Sequence, residues 1–379
     1  MEVLYEGSVK TVYQDSENPS VNYFSFSDDY SIFDWGKMPD AIANKGKALS
    51  ILGGTFFHQL AKPEGWRSLA TDKSLARFDQ RFFSGSTYQT LCESGLHHHF
   101  LGWTDTDGSA LTENQLNGLL HAPLMKVLAV EVVRPRTFLV DQQTLFDYDV
   151  NFSNPFLIPL EVVFRFGMPQ GSSLNKRLDS DPHYYAELGL SEPPVASTFF
   201  ERPVIEFFTK LEPKDRFLPV QEAFLMSGLT QEQFVVLYDT ALLCALWLYA
   251  AFAAKGIELW DGKFEFAWTA EGLMMVDSIG PDEVRLIYRD VHLSKEAIRQ
   301  FYRGTPWEIA CQKAKQESGA DWKKICPEQP LPLEFSQKRV VNNLYGTILN
   351  HYLNSSIIPT QMFLDEVVVT LQEKQLIGA

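Results

Sequence analysis

The stretch that most constrains this chain runs from Ile257 to Leu286 and reads IELWDGKFEFAWTAEGLMMVDSIGPDEVRL. At the two-residue period of a β-strand, Asp261, Lys263 and Glu265 share one face, whereas large aromatic side chains occupy the other. Residues 269–272 have turn chemistry and end in glycine, which adopts positive φ at little steric cost. The pattern therefore predicts a β-hairpin.

The second strand of this hairpin, predicted from Leu273 to Asp277, would bring two carboxylates together. Glu265 and Asp277 would lie near each other across the turn, with Lys263 close by. Like charges repel in a low dielectric, and a magnesium ion that carries a nucleotide phosphate would resolve the repulsion. The alternative is a solvated strand face with an incidental salt bridge.

An apolar run that precedes the hairpin favours its burial. Residues 241–254 are too few to span a bilayer, and the segment from Thr230 to Gln233 has the pattern of a helix capping box. We predict a buried helix that begins there and continues to about Lys255, where Gly256 ends it.

The composition limits the class of protein. A chain of 379 residues with 45% hydrophobic content can form two domains of ordinary size. The net charge of −15 argues against a general nucleic-acid or anionic-membrane surface, so we expect neither partner. Four cysteines without metal-binding spacing suit a reducing cytosol, and the N-terminus lacks the pattern of a signal peptide. We expect a cytoplasmic protein.

The N-terminal segment, residues 3–13, has the pattern of a strand, a turn and a strand. Its tip consists of Gly7, Ser8, Val9 and Lys10. A glycine at such a tip lets backbone N–H groups approach a phosphate, and Lys10 would add positive charge. The alternative is an ordinary hairpin without a ligand.

The central hairpin carries two motifs that resemble a known family. Asp261-Gly-Lys-Phe-Glu-Phe266 resembles the D-x-K-(L/I/V/M)-E-(F/Y) signature of SAICAR synthetase, the phosphoribosylaminoimidazole-succinocarboxamide synthase family. The segment from Asp277 to Arg285 resembles the D-E-x-S-P-D-x-x-R segment of that family. Two matched motifs at this separation are a specific signal.

Two longer motifs extend the resemblance. The segment from Leu157 to Arg165, predicted as a strand, is similar to the family's (L/I/V/M/F)2-P-(L/I/V/M)-E-x-(I/V)-x-R, but the closing Gly171-Ser172 arrives one residue late. The N-terminal hairpin is similar to L-Y-x-G-K-A-K-x-V-Y, with Ser8 in place of the first lysine.

Several shorter segments are also similar to the family. Asp28 to Asp34 resembles D-x-(S/T)-x-x-D, which lies beside the substrate in the family, and Ser294 to Arg299 resembles D-K-x-x-(F/V)-R. Lys45-Gly46-Lys47 leads into a helix predicted over residues 48–60, and residues 124–133 form a predicted strand that passes the adenine in the family. Lys210 and Asp215 belong to a run that borders the active site in the family.

The resemblance implies an α+β fold. An antiparallel, kinase-like N-terminal domain that binds ATP would occupy residues 1–133, and a larger α/β domain for substrate and metal would occupy residues 134–303. Residues 304–379 would form a helical extension packed on the second domain. We assign this extension to packing or subunit contact, so a homo-oligomer is compatible with the sequence.

The resemblance also implies an activity: the family joins the carboxylate of CAIR to L-aspartate with ATP, and it yields SAICAR, ADP and phosphate. ATP and Mg²⁺ are then the implied cofactors. The implied roles are catalytic for Lys10, Asp29, Asp261 and Lys263; substrate-binding for Ser31, Arg165, Ser172, Arg285, Lys295 and Arg299; nucleotide-binding for Gly7, Ser8, Val9, Lys10, Lys126, Glu265 and Asp277; and metal-binding for Glu265 and Asp277.

Three alternatives remain open from the sequence. Phe164 is bulkier than the residue that the family usually has there, and this departure, Ser8 and the late Gly-Ser pair are compatible with a paralogous ligase that uses another heterocyclic carboxylate. A small-molecule kinase on a kinase-like fold would form ADP without aspartate and without an amide product. A nucleotide-binding regulator without turnover is the alternative from another class.

Overall fold

A computed structural model describes residues 1–141, 143–148, 155–169, 172–318 and 322–377. These residues form two compact units, each assembled from segments that are distant in sequence. The first unit comprises residues 1–56, 100–129 and 279–379, and the second comprises residues 57–99 and 130–278. The division into residues 1–133, 134–303 and 304–379 assigns functional domains, and it remains a prediction.

The secondary structure of the described residues mixes strands and helices, which confirms the predicted α+β class. The strands are β1 Glu2–Glu6, β2 Lys10–Gln14, β3 Val21–Phe26, β4 Phe100–Thr104, β5 Ala110–Leu111, β6 Leu124–Leu128, β7 Arg136–Val140, β8 Gln143–Asp147, β9 Phe156–Leu157, β10 Leu160–Gly167, β11 Phe199–Thr209, β12 Phe217–Leu218, β13 Glu258–Thr269, β14 Gly272–Val276, β15 Val284–Tyr288 and β16 Val291–His292. The α-helices are α1 Lys45–Leu60, α2 Pro63–Leu69, α3 Ser86–Ser94, α4 Glu113–Leu116, α5 Leu174–Ser180, α6 Tyr184–Glu187, α7 Val220–Met226, α8 Gln231–Ala253, α9 Ser294–Tyr302, α10 Pro306–Ser318, α11 Trp322–Ile325, α12 Phe335–Leu353 and α13 Leu364–Ile377.

The first unit contains an antiparallel sheet with the strand order β1-β2-β3-β6-β4-β5. The predicted N-terminal hairpin is confirmed, and the Gly7 N–H closes its turn by donating to the Lys10 carbonyl at 2.9 Å. Strand β6 ends at Leu128 rather than at the predicted Val133. The reason is that its neighbour β3 begins at Val21, the partner of Leu128, so the pairing with β3 stops there.

Helix α1 begins at Lys45, three residues before the predicted Ala48, because Asp28 caps it. The Asp28 carboxylate accepts hydrogen bonds from the backbone N–H groups of Asn44 at 3.1 Å and Gly46 at 3.0 Å. Gly46 lies so close to the end of β3 that a Cβ atom there would be 2.2 Å from the Phe26 carbonyl oxygen. The glycine therefore sets the distance between the helix start and the strand.

The C-terminal part of the first unit is helical, as predicted. Helix α12 begins with a capping box between Glu334 and Gln337, and it packs against α9 and α13. Its inward face is closed by side chains with no measurable exposure, such as Leu344, Tyr345 and Ile348. Within this region the sequence predicts helices over residues 336–353 and 360–374, and these correspond to α12 and α13.

The second unit contains the antiparallel strands β12-β11-β10-β13, and both β14 and β9 pair with the C-terminal part of β13. Helix α8 packs on these strands and begins with the predicted capping box at Thr230. By length and composition alone α8 could cross a membrane, but two thirds of its most apolar stretch is buried inside the structure. It is the core helix that the sequence predicts.

The central hairpin is formed by β13 and β14, as predicted. Its turn residues are Ala270 and Glu271, and Gly272 has a φ of 106°. Such a φ lies in the region that favours glycine, which confirms the positive φ expected for the glycine of this turn. The segment from about residue 136 to residue 156, which the resemblance leaves as an insertion, includes the β7–β8 hairpin.

A histidine segment, residues 97–99, lies alongside β14. The Met275 N–H donates to the His97 carbonyl at 2.9 Å, and the His99 N–H donates to the Met275 carbonyl at 3.0 Å. The His98 ring lies against Phe57, with ring centroids 5.1 Å apart. Burial, followed by the nearby His58 and His97, lowers the pKa of His98 from 6.5 to about 4.

We expect the change Gly46→Ala to destabilise the protein by about 2 kcal/mol or more, although alanine is the better helix former. The added methyl group would collide with a backbone carbonyl that cannot rotate away. Denaturant unfolding measures the effect. Gly85→Ala is the control, because a Cβ there meets nothing within 4 Å. Equal stability of Gly46→Ala and the parent would contradict the close approach.

We expect His98 to make the stability pH-dependent between about pH 6.5 and pH 4. The unfolded chain takes up a proton at this histidine in that range and the folded chain does not, so the free energy of unfolding falls as the pH falls. A shift of this size corresponds to at most about 3 kcal/mol.

Unfolding of the parent and of His98→Gln across this pH range provides the measurement. The variant should show the shallower dependence, whereas replacement of the exposed His183 by Gln should leave it unchanged. Identical slopes for the parent and His98→Gln would show that His98 takes up its proton equally in both states.

Candidate active site

Two acidic side chains meet at the open end of the central hairpin. Glu265 pairs with Val276 across the two strands, so Asp277 is the first residue beyond β14. Glu265 is buried, and burial followed by the charge of Asp277 raises the pKa of Glu265 to about 7. The prediction that these two carboxylates lie close together is confirmed.

Two lysines neutralise part of this charge. The Lys210 Nζ atom lies 2.6 Å from Glu265 Oε1 and 3.3 Å from Glu161 Oε1. The Lys263 Nζ atom forms an ion pair with Glu161 and lies 3.7 Å from Glu265 Oε1. Burial alone would lower the pKa of each lysine, but the surrounding acids raise both pKa values above the ordinary range. Both lysines are therefore cationic at neutral pH.

Burial alone would likewise raise the pKa of Glu161, but Lys263 and Lys210 lower it below its ordinary value. The group includes three acids and two lysines that are cationic at neutral pH, and the side chains of Lys210 and Lys263 are 26% and 32% exposed. Burial and the charge of Asp277 raise the pKa of Glu265, and the two lysines oppose the shift. A further positive charge would remove the repulsion between Glu265 and Asp277.

The donor set fits one kind of metal. Among the described residues there is no cluster of three or more histidine, cysteine, aspartate or glutamate side chains that could hold an ion by itself. Mg²⁺ is commonly held by one or two carboxylates together with substrate phosphates and water. Glu265 and Asp277 therefore fit a Mg²⁺ ion that arrives with a nucleotide, and this assignment stays a proposal.

His99 fixes the backbone of Asp277, and the sequence reasoning missed this role. Asp277 has a φ of 64°, which is uncommon for a residue other than glycine. The His99 Nε2 atom lies 2.9 Å from the Asp277 carbonyl, and because a carbonyl only accepts, this nitrogen carries the proton. His99 is 2% exposed. The sequence predicts only a polar strand or loop at residues 97–99, since nothing local reveals the pairing with β14.

Arg165 and Asp261 lie opposite each other on β10 and β13. The Arg165 Nη1 atom is 3.2 Å from Asp261 Oδ2, and its Nε donates to Glu206. Arg177 and Tyr184 also bind Glu206, which the sequence reasoning did not single out. Both predicted residues are thus part of a buried polar network, and their roles toward a substrate stay predictions.

Ser172 is buried, and its hydroxyl accepts a hydrogen bond from the Leu174 N–H at 3.3 Å. Its predicted neighbour in the Gly-Ser pair, Gly171, lies outside the described residues. The role of Ser172 toward a phosphate stays a prediction.

In the first unit, a cluster of cations surrounds Asp282. The Lys45 Nζ atom lies 2.7 Å from Asp282 Oδ2, and the Tyr345 hydroxyl donates to Oδ1 at 2.6 Å. Burial alone would raise the pKa of Asp282, but Lys45 and Lys295 lower it to about 2. Burial, together with Arg299 and Lys45, lowers the pKa of Lys295, although Asp282 opposes the shift.

Two arginines extend this cation cluster. Arg299 donates to Glu296 at 2.9 Å, and Arg285 lies near enough for its charge to help lower the pKa of Glu296. We call the set the cation cluster; its members are Lys45, Arg285, Lys295 and Arg299. Three of the predicted substrate residues, Arg285, Lys295 and Arg299, are thus brought together by the fold.

The predicted nucleotide residues of the first unit lie on its antiparallel sheet. Lys10 begins β2, and its Nζ lies 4.4 Å from the centroid of the Phe24 ring. The Val9 carbonyl accepts from the Ser27 N–H at 3.0 Å, which ties the tip containing Gly7 and Ser8 to the end of β3. Lys126 lies on β6, with its Nζ 6.0 Å from the centroid of the Tyr23 ring.

The two remaining candidates lie on the loop after β3. Asp29 forms an ion pair with Lys37 at 2.8 Å. Ser31 stands between Tyr30 and Ile32, which are both buried. The roles of Asp29 and Ser31 stay predictions.

Comparisons with known proteins agree on one family. The family model described as SAICAR synthetase matches residues 3–314. A protein of Archaeoglobus fulgidus, provisionally named phosphoribosylaminoimidazole-succinocarboxamide synthase, is 30% identical over 97% of this chain and 99% of its own length. The phosphoribosylaminoimidazole-succinocarboxamide synthase of Thermoplasma acidophilum is 26% identical over 92% of this chain and 97% of its own length.

Solved structures support the same fold. The Saccharomyces cerevisiae SAICAR synthase in complex with SAICAR has a TM-score of 0.54 and 18% identity, with 94% of this chain and 95% of that chain covered. A further SAICAR synthase structure has a TM-score of 0.57 and 16% identity over the same shares of the two chains. At these identities the structures show the fold alone. The match to the family model and the relative with 30% identity show that this chain belongs to the SAICAR synthetase family.

Proposed function

We propose that this protein is an ATP-dependent ligase that joins the carboxylate of CAIR to the amine of L-aspartate to give SAICAR, ADP and phosphate. The observation that carries the proposal is the buried Glu265 beside the partly buried Asp277, with two lysines that are cationic at neutral pH next to them, in a chain of this family. Such a group suits phosphoryl transfer, in which charge stabilisation and positioning account for most of the catalysis.

The reaction needs activation because a carboxylate is a poor electrophile. A carboxylate oxygen of CAIR attacks the γ-phosphorus of ATP, the bond to the β,γ-bridging oxygen breaks, and ADP leaves. The amine of aspartate then attacks the carbonyl carbon of the acyl phosphate, loses protons, and expels inorganic phosphate. The enzyme has to align these partners more than it has to supply a strong base.

The side chains of the second unit suit the phosphoryl-transfer step. Glu265 and Asp277 would hold Mg²⁺, which when bound screens the charge of the nucleotide phosphates. Lys263 lies within reach of the same carboxylates and would stabilise the transferring group. Asp261 holds the guanidinium of Arg165, and Arg165 with Ser172 would serve the ribotide phosphate.

The side chains of the first unit suit nucleotide and anion binding. The tip formed by Gly7, Ser8 and Val9, together with Lys10 and Lys126, would contact the nucleotide. The cation cluster, with Arg285, Lys295 and Arg299, would bind the phosphate or carboxylates of the substrates. Asp29 and Ser31 would place the ribose or the incoming aspartate.

We also propose a cytoplasmic location and small-molecule substrates without a nucleic-acid or membrane partner. The acidic net charge of −15 and free cysteines at positions 92, 244, 311 and 326 support this. Self-association through the C-terminal helices is part of the same proposal.

Incubation of the protein with CAIR, L-aspartate, ATP and Mg²⁺ tests the function, with SAICAR and ADP both quantified. We expect equal amounts of the two products. ADP and amide formed only with another carboxylate would favour the paralogous ligase. ADP absent from every mixture of carboxylate and amino acid, despite nucleotide binding, would favour the regulator and overturn the proposal.

We expect Glu265→Gln and Asp277→Asn each to lower kcat by about a hundredfold or more, because each removes one negative charge opposite the metal and the phosphates. Glu271→Gln, on the exposed turn of the same hairpin, is the matched control and should retain the parent kcat. Normal turnover in both site variants would remove these residues from the mechanism.

A further inference from the structure

The loop after β3, residues 28–35, is held by the C-terminal helices of its own unit. The Lys315 Nζ atom on α10 donates to the Phe33 carbonyl at 2.7 Å and pairs with Asp34 Oδ2 at 2.7 Å. One ammonium group therefore binds two successive residues of the loop. Lys315 is also the first residue beyond the match to the family model.

The two residues that Lys315 binds have an unfavourable backbone conformation. Phe33 has a φ of 51° and Asp34 has a φ of 57°, so two adjacent residues other than glycine are left-handed. L-residues visit this region rarely, and such a conformation persists when surrounding contacts determine it. Lys315 therefore contacts the two residues of the loop that have the unfavourable left-handed backbone conformation.

Aromatic contacts hold the same end of the loop. The Trp307 ring of α10 lies 5.9 Å from the Phe33 ring and 5.6 Å from the Trp35 ring, between centroids. Trp35 also contacts Trp322 of α11, with centroids 5.7 Å apart. Trp307 of α10 and Trp322 of α11 thus pack around Phe33 and Trp35.

The other end of the loop is tied to the same helical region. The hydroxyl groups of Tyr30 and Tyr302 lie 2.9 Å apart, and the Tyr302 hydroxyl donates to the Leu331 carbonyl at 2.9 Å. Tyr30 has no measurable exposure and Ile32 is 1% exposed. Ser31, between them, is therefore held from both sides.

The end of the loop interacts electrostatically with the cation cluster. The Asp34 side chain is 86% exposed, so burial raises its pKa little, and Lys315, Arg299 and Lys295 lower it. Two members of the cation cluster are thus close enough to act on the loop electrostatically. A displaced loop would change the surroundings of the groups proposed to bind the anionic substrate.

We propose that Lys315 is a positioning residue, which holds Phe33 and Asp34 in their left-handed conformation and thereby sets the position of Ser31 in the same loop. This inference rests on the proposed function of Ser31 and of the cation cluster in substrate binding. It gives the C-terminal helices a role in substrate affinity in addition to packing.

The test compares Lys315→Met, which removes the ammonium group and keeps most of the apolar stem, with Lys315→Arg, which keeps the charge. Lys313→Met is the matched control, because Lys313 lies on the same helix, is 74% exposed and has only a 3.9 Å pair with Glu317. The Michaelis constants for CAIR, aspartate and ATP are measured separately, with kcat and the melting temperature.

We expect Lys315→Met to raise KM for CAIR or aspartate roughly tenfold, as for the loss of a charged hydrogen bond, with KM for ATP changed less than about twofold. Lys315→Arg should restore most of the affinity, and Lys313→Met should match the parent. A purely structural role would lower the melting temperature and kcat without this selective change in KM. Unchanged KM values in Lys315→Met, or equal changes in Lys313→Met, would overturn the proposal.

Hydrogen exchange separates this inference from the proposed function. The Trp35 N–H donates to the Ile32 carbonyl at 3.1 Å and reports on the loop without any substrate. We expect faster exchange at Trp35 in Lys315→Met. A parent protein that forms no SAICAR would defeat the proposed function, whereas unchanged exchange at Trp35 would defeat the role of Lys315 in holding the loop.

Discussion

The repulsion between the buried carboxylate of Glu265 and the partly buried carboxylate of Asp277 is the constraint on which the rest of the second unit depends. Burial, followed by the like charge of Asp277, disfavours the ionised form of Glu265 and raises its pKa to about 7. The fold offsets part of this shift with Lys210 and Lys263, which also neutralise Glu161. What remains is a site in which the charges of Glu265 and Asp277 still repel each other. Such a site is suited to a divalent ion that comes with its substrate.

This arrangement requires a rigid backbone, and the structure supplies it from several segments. The β13–β14 register determines the separation of the two acids, and His99 holds the Asp277 carbonyl in a conformation that aspartate seldom adopts. In the first unit, Lys315 supports two left-handed residues in a comparable way. Residues held in sparsely populated conformations cost about 1–3 kcal/mol each, and they concentrate at functional sites. In both units, contacts from distant side chains thus stabilise unfavourable backbone conformations next to polar groups.

Much of the fold follows from local patterns in the sequence. The alternation over residues 257–268, the glycine at position 272 and the capping box at Thr230 each determine an element through contacts within a few residues. Those elements are found where they are predicted. The helix start at Lys45 and the strand end at Leu128 differ from prediction, because a cap from Asp28 and the extent of a neighbouring strand set them.

The sequence alone determined the family, the α+β class and the β13–β14 hairpin that brings Asp277 near Glu265, because these depend on short motifs and on strand periodicity. It could not predict three hydrogen bonds: that between His99 and the Asp277 carbonyl, that from Arg165 to Glu206, and that from Lys315 to the Phe33 carbonyl. Each of these contacts joins residues between 41 and 282 positions apart. Partners at such separations are chosen by the packing of whole strands and helices, and no local pattern records that choice. The tertiary structure therefore decided which groups hold the predicted side chains in place.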